Sequence, residues 1–348
     1  MIETDVLIIG GGVAGMTVAS ELAEEGLNTV IVEKGPALGG RLPSISHVFP
    51  TMEHGREISS KMTGWISILT GSGKLVAQLA SIVDKVTKDN DLFVSEVLKE
   101  DGSRDGVRSK AVVMATGLEP IDASIIPEFG LGAHKDVITS VQLEEMLSSG
   151  SGVHRPSNGA VPRTITFVQC VGSRVERRGV RYCSNVCCLN AIKNASLLRD
   201  LSPDTRSYIL YIDIRSHGKG YEDAYKEARR RGVTFIRGQP SLVLDKEGKL
   251  LVCGENTLLK ELYEIESELV VLSVGLRTPE TNQMMFGAAG IDMSKDGLPV
   301  CENELLLAES SKMKGVFFAG SVEAPKDIRD TVLHSKACAL AVTKYLKG

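Results

Sequence analysis

The opening of the chain combines a short apolar strand, a run of glycines and a helix, and this combination leaves few folds open. Residues 5–9 (DVLII) are typical of a buried parallel strand, and a second predicted strand, residues 28–32, ends in Glu33. Between them stands a G-x-G-x-x-G run, whose glycines permit a tight turn, approach to a pyrophosphate and close helix–strand packing, while Glu33 would bind ribose hydroxyls. A glycine-rich turn without a ligand is the alternative. The predicted dinucleotide contacts of the run are Gly10, Gly12, Val13, Ala14 and Gly15.

The segment that follows the second strand favours a flavin over a nicotinamide. Residues 33–41 read EKGPALGGR and resemble the extension found in the two-dinucleotide-binding-domain flavoproteins. In that superfamily the glycine pair lets the backbone approach the diphosphate or ribitol of FAD. The resemblance therefore implies FAD contacts at Lys34, Gly39, Gly40 and Arg41.

Two later strand ends resemble further flavin contacts of the same superfamily. A buried strand at 110–115 closes on Thr116 and Gly117, and a late strand at 314–319 closes on Gly320 and Ser321. Members of the superfamily usually have Gly-Asp at the end of the late strand. Ser321 stands where that aspartate would bind the ribitol, so this chain lacks the usual carboxylate.

The last segment predicts a helix that begins near Pro325 and continues to about Tyr345. Proline at the start and acids in the first turn are typical of a capped helix N-terminus. In the superfamily this N-terminus points at the flavin pyrimidine, which implies cofactor contacts at Lys326, Asp327 and Ile328. Lys326 is the candidate catalytic residue, because its ammonium could hydrogen-bond the flavin N5 or the adjacent carbonyl. A solvated lysine near a helix end is the alternative.

A second nucleotide-binding unit is predicted after a linker rich in Ser, Gly, Pro and Asn at 148–162. Its first strand, 164–169, leads into a turn without the glycine spacing. The predicted class is α/β, with two Rossmann-like three-layer domains of the FAD-dependent disulfide-reductase type, the second inserted into the first. The predicted domains are 1–155 plus 280–348, which would bind FAD, and 160–279.

Four of the seven cysteines crowd into nineteen residues of that second turn. They are Cys170, Cys183, Cys187 and Cys188. Thiols this close oxidise, bind zinc or ligate an iron–sulfur cluster, and zinc is the weaker fit because no C-x-x-C is present. A helix predicted to begin at the vicinal pair would direct its amides at an anionic centre. Buried cysteines that pack as small hydrophobic residues remain an alternative.

Composition excludes several classes of function. The 348 residues are 43% hydrophobic and 24% charged, as in an ordinary globular protein. A net charge of −4 gives no electrostatic case for nucleic acid, and no apolar run approaches the roughly 18 residues of a membrane span. A strand starting near Met1 and an odd number of cysteines predict a cytoplasmic protein.

The cysteine pattern C-x12-C-x3-C-C, the Gly-Ser after the first cysteine and the Pro-Lys-Asp-Ile segment together resemble the A subunit of heterodisulfide reductase. The resemblance covers nearly the whole chain. It implies FAD, a 4Fe-4S cluster held by the four crowded cysteines, a homodimer, and service among other subunits and protein electron donors or acceptors. Ferredoxin-like segments of the long members are absent, so the chain resembles the short form associated with sulfur oxidation.

The implied function is electron transfer between two-electron sulfur chemistry and one-electron carriers, since FAD exchanges one or two electrons and a cluster one. Cys253, Cys301 and Cys338 are isolated in the sequence and form no dithiol motif. Direct disulfide reduction by this chain is therefore not expected. Two alternatives stay open: a stand-alone NAD(P)H-dependent flavin disulfide reductase, and a non-catalytic scaffold subunit.

Overall fold

The computed structural model describes residues 1–348, which divide into two compact units. The first unit comprises Met1–Pro43, His54–Glu119 and Arg277–Gly348, and the second comprises Ser44–Glu53 and Pro120–Leu276. Most of the second unit is thus inserted between segments of the first. No helix in the structure is long and apolar enough to cross a membrane.

The chain forms twenty-one strands and seven α-helices. The strands are β1 (Ile2–Ile9), β2 (Thr29–Val32), β3 (His47–Val48), β4 (Glu53–His54), β5 (Leu75–Gln78), β6 (Ser81–Asp89), β7 (Leu92–Lys99), β8 (Arg104–Met114), β9 (Glu119–Pro120), β10 (Val137–Thr139), β11 (Thr164–Val171), β12 (Arg206–Tyr211), β13 (Thr234–Arg237), β14 (Pro240–Lys246), β15 (Lys249–Asn256), β16 (Glu261–Ser267), β17 (Leu269–Val274), β18 (Leu276–Arg277), β19 (Cys301–Asn303), β20 (Leu307–Ser311) and β21 (Val316–Phe318). The helices are α1 (Val13–Glu24), α2 (Gly55–Gly71), α3 (Ser140–Ser149), α4 (Cys187–Leu201), α5 (Tyr221–Arg230), α6 (Glu280–Ala288) and α7 (Ile328–Lys347).

The first unit is built on a sheet whose strands follow the order β19-β20-β21-β8-β1-β2-β5, with β7 paired to β8 and β6 to β7. β1 lies parallel between β2 and β8, so Ile8 stands opposite Ile31 and Val113. All three are fully buried, because helices or other layers cover both faces of the central strands. On one face α1 and α7 contribute Val18 and Val342 to the core.

The second unit has a five-stranded parallel sheet in the order β10-β17-β11-β12-β13 and a separate antiparallel sheet of β14, β15 and β16. The central strand β11 is buried along its whole length, and Phe167 stands opposite Ile209 and Val271. Helix α4 packs Ile192 and Leu198 into the same core. The cysteine-bearing turn therefore leaves the middle of the sheet.

A buried ion pair explains why 44–53 belongs to the second unit. Lys193 on α4 donates to Glu144 on α3 at 2.5 Å and to the carbonyl of His47 at 3.0 Å. The other oxygen of Glu144 accepts from the amide and the hydroxyl of Ser46, both at 2.8 Å. Burial would raise the pKa of Glu144, but the charge and hydrogen bond of Lys193 and the Ser46 amide hold it below its usual value.

The observed boundaries differ from those predicted. The prediction kept residues 1–155 together, whereas the chain leaves the first unit after Glu119 and returns at Arg277. The reason is that β10 pairs in parallel with β17, with Val137 opposite Val270, so the segment before the predicted linker completes the second sheet. The predicted boundary also missed the segment that Glu144 and Lys193 hold.

Candidate functional site

The glycine run forms the turn between β1 and α1. Gly10 has φ +107°, and a Cβ there would lie 2.5 Å from the carbonyl oxygen of Ala115. A Cβ on Gly15 would lie 1.9 Å from the carbonyl oxygen of Gly10, so only glycine lets the helix pack onto the strand. Val13 begins α1 after the N-cap Gly12, and neither a capping side chain nor an acid occupies its first turn. Such an open helix N-terminus is suited to a phosphate group.

Glu33 connects the extension after β2 to this turn through hydrogen bonds of its carboxylate. Its buried carboxylate accepts the Gly11 amide at 2.6 Å and the Gly35 amide at 2.7 Å. The backbone of Gly39 also donates to the carbonyl of Gly11 at 2.9 Å, and a Cβ on Gly40 would lie 3.0 Å from the Cα of Gly12. Each carboxylate oxygen retains a lone pair, so Glu33 can also accept from ribose hydroxyls.

Further predicted flavin residues of the same unit lie in the extension and after β8. Lys34 and Arg41 are exposed at the two ends of the extension. Thr116 follows β8, next to Gly117, and accepts from the side-chain amide of Asn282 at 2.8 Å. These positions fit a nucleotide laid along the carboxyl ends of parallel strands.

Gly320 brings the late strand end against the first turn of α1. Its φ is +69°, and a Cβ there would lie 2.7 Å from the Cβ of Ala14. The adjacent Ser321 has no carboxylate; its hydroxyl lies 3.4 Å from the Thr331 hydroxyl. Only small residues permit this approach, which joins the two ends of the predicted FAD site.

His334 is a site residue that the sequence analysis missed. Its Nδ1 accepts the Gly320 amide at 3.0 Å, whereas its Nε2 is buried without a hydrogen-bond partner. Burial lowers the pKa of His334 to about 4, with a further lowering from the Lys326 charge. The neutral ring therefore fixes the Gly320 turn. One sequence signal could have indicated this role. His334 lies about two turns into the helix whose start was predicted to contact the flavin.

Helix α7 begins three residues after the start predicted near Pro325, and Asp327 caps it by accepting the Asp330 amide at 2.7 Å. Ile328 is its first residue. The ammonium of Lys326 forms an ion pair with the carboxylate of Glu323, and its side chain is 16% exposed. The candidate catalytic lysine is thus held by an acid three residues before it, and its contact with the flavin stays a prediction.

The cysteine stretch lies wholly in the second unit, between β11 and α4. Cys170 is near the end of β11 and Cys187 begins α4, as predicted for the vicinal pair. Cys170, Arg174 and Asn185 have φ of 62°, 61° and 63°, which non-glycine residues rarely adopt. Strained backbone of this kind concentrates at functional sites.

The four thiols are free and interact electrostatically. Burial raises the pKa of Cys170 to about 12, and negative charge on Cys188 and Cys183 would raise it further, whereas Arg174 opposes the change. Burial also raises the pKa of Cys187, as would charge on each of the other three. The four thiols therefore lie close enough together for negative charge on one to raise the pKa of another.

Their present arrangement is that of protonated thiols. No three His, Cys, Asp or Glu side chains come together as a group that could hold a metal ion. Cys187 and Cys188 instead place their sulfur atoms 3.6 Å from the carbonyl oxygens of Val274 and Asp213. Binding of the predicted cluster at these cysteines therefore requires the thiols to rearrange into a common ligand set.

The polar groups around the cysteines fit an anionic, sulfur-rich ligand. The hydroxyl of Ser173 and Nη1 of Arg174 are buried and have no hydrogen-bond partner. Both are donors, and a buried donor without an acceptor costs about 1–3 kcal/mol. Together with the four free thiols, these two donors form a set suited to an iron–sulfur cluster. The thiols must first rearrange to become its ligands.

The other three cysteines lie on separate elements. Cys253 is on β15, Cys301 on β19 and Cys338 on α7, and all are free. Burial raises the pKa of each, which suppresses the reactive thiolate. They provide no dithiol for disulfide exchange.

Two known proteins resemble this chain along nearly its whole length. The iron-sulfur A subunit of the CoB–CoM heterodisulfide reductase of Methanocaldococcus jannaschii is 33% identical over 98% of this chain and 64% of its own length. The A subunit of the H2:CoB–CoM heterodisulfide,ferredoxin reductase of Methanothermobacter thermautotrophicus is 30% identical over 100% of this chain and 65% of its own length. The chain is related to the A subunit of heterodisulfide reductase. It spans just under two thirds of these relatives.

The relationship confirms the predicted resemblance, and two further matches concern the fold. The pyridine nucleotide-disulphide oxidoreductase family matches residues 4–149. Thioredoxin reductase of T. acidophilum has a TM-score of 0.67 at 18% identity and covers 99% of both chains. The predicted α/β fold of the FAD-dependent disulfide-reductase type is confirmed.

Proposed function

We propose that this chain is the FAD- and 4Fe-4S-containing electron-transfer subunit of a heterodisulfide-reductase-like complex. The observation that carries the proposal is the contrast between equivalent turns. In the first unit, Gly10 and Gly12 form an open nucleotide turn. In the second, Cys170 stands near the end of β11 and the turn that follows leads to Cys187. FAD and a cluster, when bound, would link two-electron sulfur chemistry with one-electron carriers.

The first unit supplies the groups that would hold FAD. The open N-terminus of α1 offers amides to the diphosphate, and Glu33 offers lone pairs to the ribose. His334 holds the Gly320 turn in place. Ser321 adds no negative charge, so α7 can direct its positive end at the flavin ring without a nearby carboxylate from that position.

The second unit supplies the ligands for the cluster. Cys170, Cys183, Cys187 and Cys188 would be the thiolate ligands. Helix α4 carries two of them in its first turn, where no acidic residue opposes an anionic group. The buried ion pair between Lys193 of α4 and Glu144 of α3 holds this helix in place. These contacts would hold the ligands on a rigid support.

The substrate site for sulfur chemistry belongs in this proposal to another protein of the complex. The relatives are named as subunits, and the chain's other cysteines lie on separate elements. Electrons would therefore enter and leave through protein donors and acceptors. Service in sulfur oxidation, a homodimer and a cytoplasmic location stay predictions.

Anaerobic stopped-flow reduction of the purified chain distinguishes this function from that of a pyridine-nucleotide reductase, which the family match at 4–149 favours. NADH and NADPH are expected to reduce the flavin far more slowly than the roughly 10 per second typical of enzymes. A low-potential one-electron protein donor is expected to reduce it readily. Rapid reduction by either nucleotide would contradict the proposal, and a chain that binds neither iron nor flavin would indicate a scaffold.

A further inference from the structure

Arg174 lies close enough to Cys170, Cys183 and Cys188 to interact with them electrostatically. Its amide donates to the carbonyl of Tyr182, the neighbour of Cys183, at 3.1 Å. Its Nη2 donates to the carboxylate of Asp213 at 2.8 Å, and the main-chain oxygen of Asp213 lies 3.6 Å from the sulfur of Cys188. The guanidinium is thus placed among the candidate ligands.

The two terminal nitrogens of the guanidinium differ in their contacts, and the guanidinium also interacts with the Cys170 thiol. Nη2 is paired with Asp213, whereas Nη1 is buried and has no partner. The neighbouring Ser173, 1% exposed, carries a second buried hydroxyl without a partner. Two consecutive buried donors in one loop are costly unless a ligand supplies acceptors, and the cost is larger for a charged group.

The backbone holds the guanidinium there despite strain. Arg174 has φ +61°, and a second arginine, Arg237, lies 3.4 Å from the other oxygen of Asp213. A planar guanidinium can bond Asp213 with one nitrogen and a ligand with another, which a lysine ammonium does less well. This chemistry suits the sulfur atoms of an anionic iron–sulfur cluster.

We propose that Arg174, oriented by Asp213, sets the reduction potential of the cluster by donating from Nη1, together with the Ser173 hydroxyl, to its sulfur atoms. The inference rests on the proposed function. Reduction adds one electron and one negative charge to the cluster, so nearby positive charge and hydrogen-bond donors favour the reduced form. Arg174 therefore raises the potential, and the carboxylate of Asp213 partly offsets it.

Variants of the two residues are expected to shift the potential in opposite directions. Arg174→Gln removes the positive charge and should favour oxidation by about tenfold, a downward shift of about 59 mV for one electron. Asp213→Asn removes the opposing charge while keeping an acceptor for Arg174, and should shift the potential upward. The control is Arg178→Gln, because Arg178 belongs to the same loop but pairs with Glu128 at the surface.

The experiment is a redox titration of anaerobically purified full-length protein, followed by electron paramagnetic resonance, with iron, sulfide and FAD counted in each sample. Opposite shifts for the Arg174 and Asp213 variants, with Arg178→Gln unmoved, support the proposal. A wild-type cluster whose potential is the same in all three variants overturns the inference alone. Wild-type protein without iron overturns the proposed function and the inference with it. Should Arg174→Gln lose iron while keeping FAD, Arg174→Lys decides: a lowered potential supports the role, and an unchanged one refutes it.

Discussion

Acidification should test the role of His334 directly. Its Nδ1 accepts the Gly320 amide at 3.0 Å, so the folded protein needs the neutral ring. Burial lowers the pKa of His334 from 6.5 to about 4; the Lys326 charge lowers it too, whereas Glu323 and the Ala308 backbone oppose the shift. As pH falls, the unfolded chain therefore binds a proton before the folded one does.

The size of the effect follows from the pKa difference. A fall from 6.5 to about 4 corresponds to at most about 3.5 kcal/mol of unfolding free energy, at roughly 1.4 kcal/mol per pKa unit. This stability is fully present above pH 6.5 and is lost progressively as pH falls to about 4. His334→Asn can still accept from the Gly320 amide but does not titrate in this range.

Urea unfolding of the FAD-bound protein between pH 7 and pH 4.5, followed by circular dichroism and flavin fluorescence, measures the difference. The stability of wild-type protein should approach or fall below that of His334→Asn as pH falls, because all other titrating groups are shared. His154→Asn, a change at an exposed histidine of the second unit, should show the wild-type pH dependence. A constant free-energy difference between wild type and His334→Asn across this range would refute the reasoning.

Three further outcomes are expected. Gly15→Ala should lower flavin occupancy and the melting temperature, since its Cβ would lie 1.9 Å from the Gly10 carbonyl oxygen, and overpacking typically costs about 1–3 kcal/mol; a normal flavin-to-protein absorbance ratio would count against this. Cys188→Ser should lose or destabilise the cluster and keep FAD, while Cys253→Ser keeps both, as iron and flavin analysis would show. Lys326→Met should keep FAD but shift the flavin potential in a redox titration, and an unchanged potential would assign the lysine to its ion pair alone.

The parts of the fold and of the candidate site that the sequence predicted are those that depend on residues close together in the chain. The strand before Gly10, the glycine spacing and the acid Glu33 are close in sequence, and the structure brings them together as one turn. The start of α4 at Cys187 likewise followed from the adjacent apolar spacing. Short-range signals of this kind depend on backbone geometry that a few neighbouring residues determine.

Features built from distant residues could not be predicted in the same way. β10 joins the second sheet because Val137 pairs with Val270, and no local pattern reveals that partner. Glu144 and Lys193 look like surface charges in their own helices, yet each is buried because the other compensates its charge. The role of His334 could not be predicted from a side-chain motif because its partner, the Gly320 amide, is main chain.

The central claim is that one chain holds both cofactors, and the most direct measurement is the stoichiometry of iron, acid-labile sulfide and flavin in anaerobically purified protein. Separate sites in separate units predict about four iron atoms, four sulfides and one FAD per chain. The iron should give the electron paramagnetic resonance signal of a four-iron cluster on reduction. Zinc in place of iron, or flavin without iron and sulfide, would contradict the account.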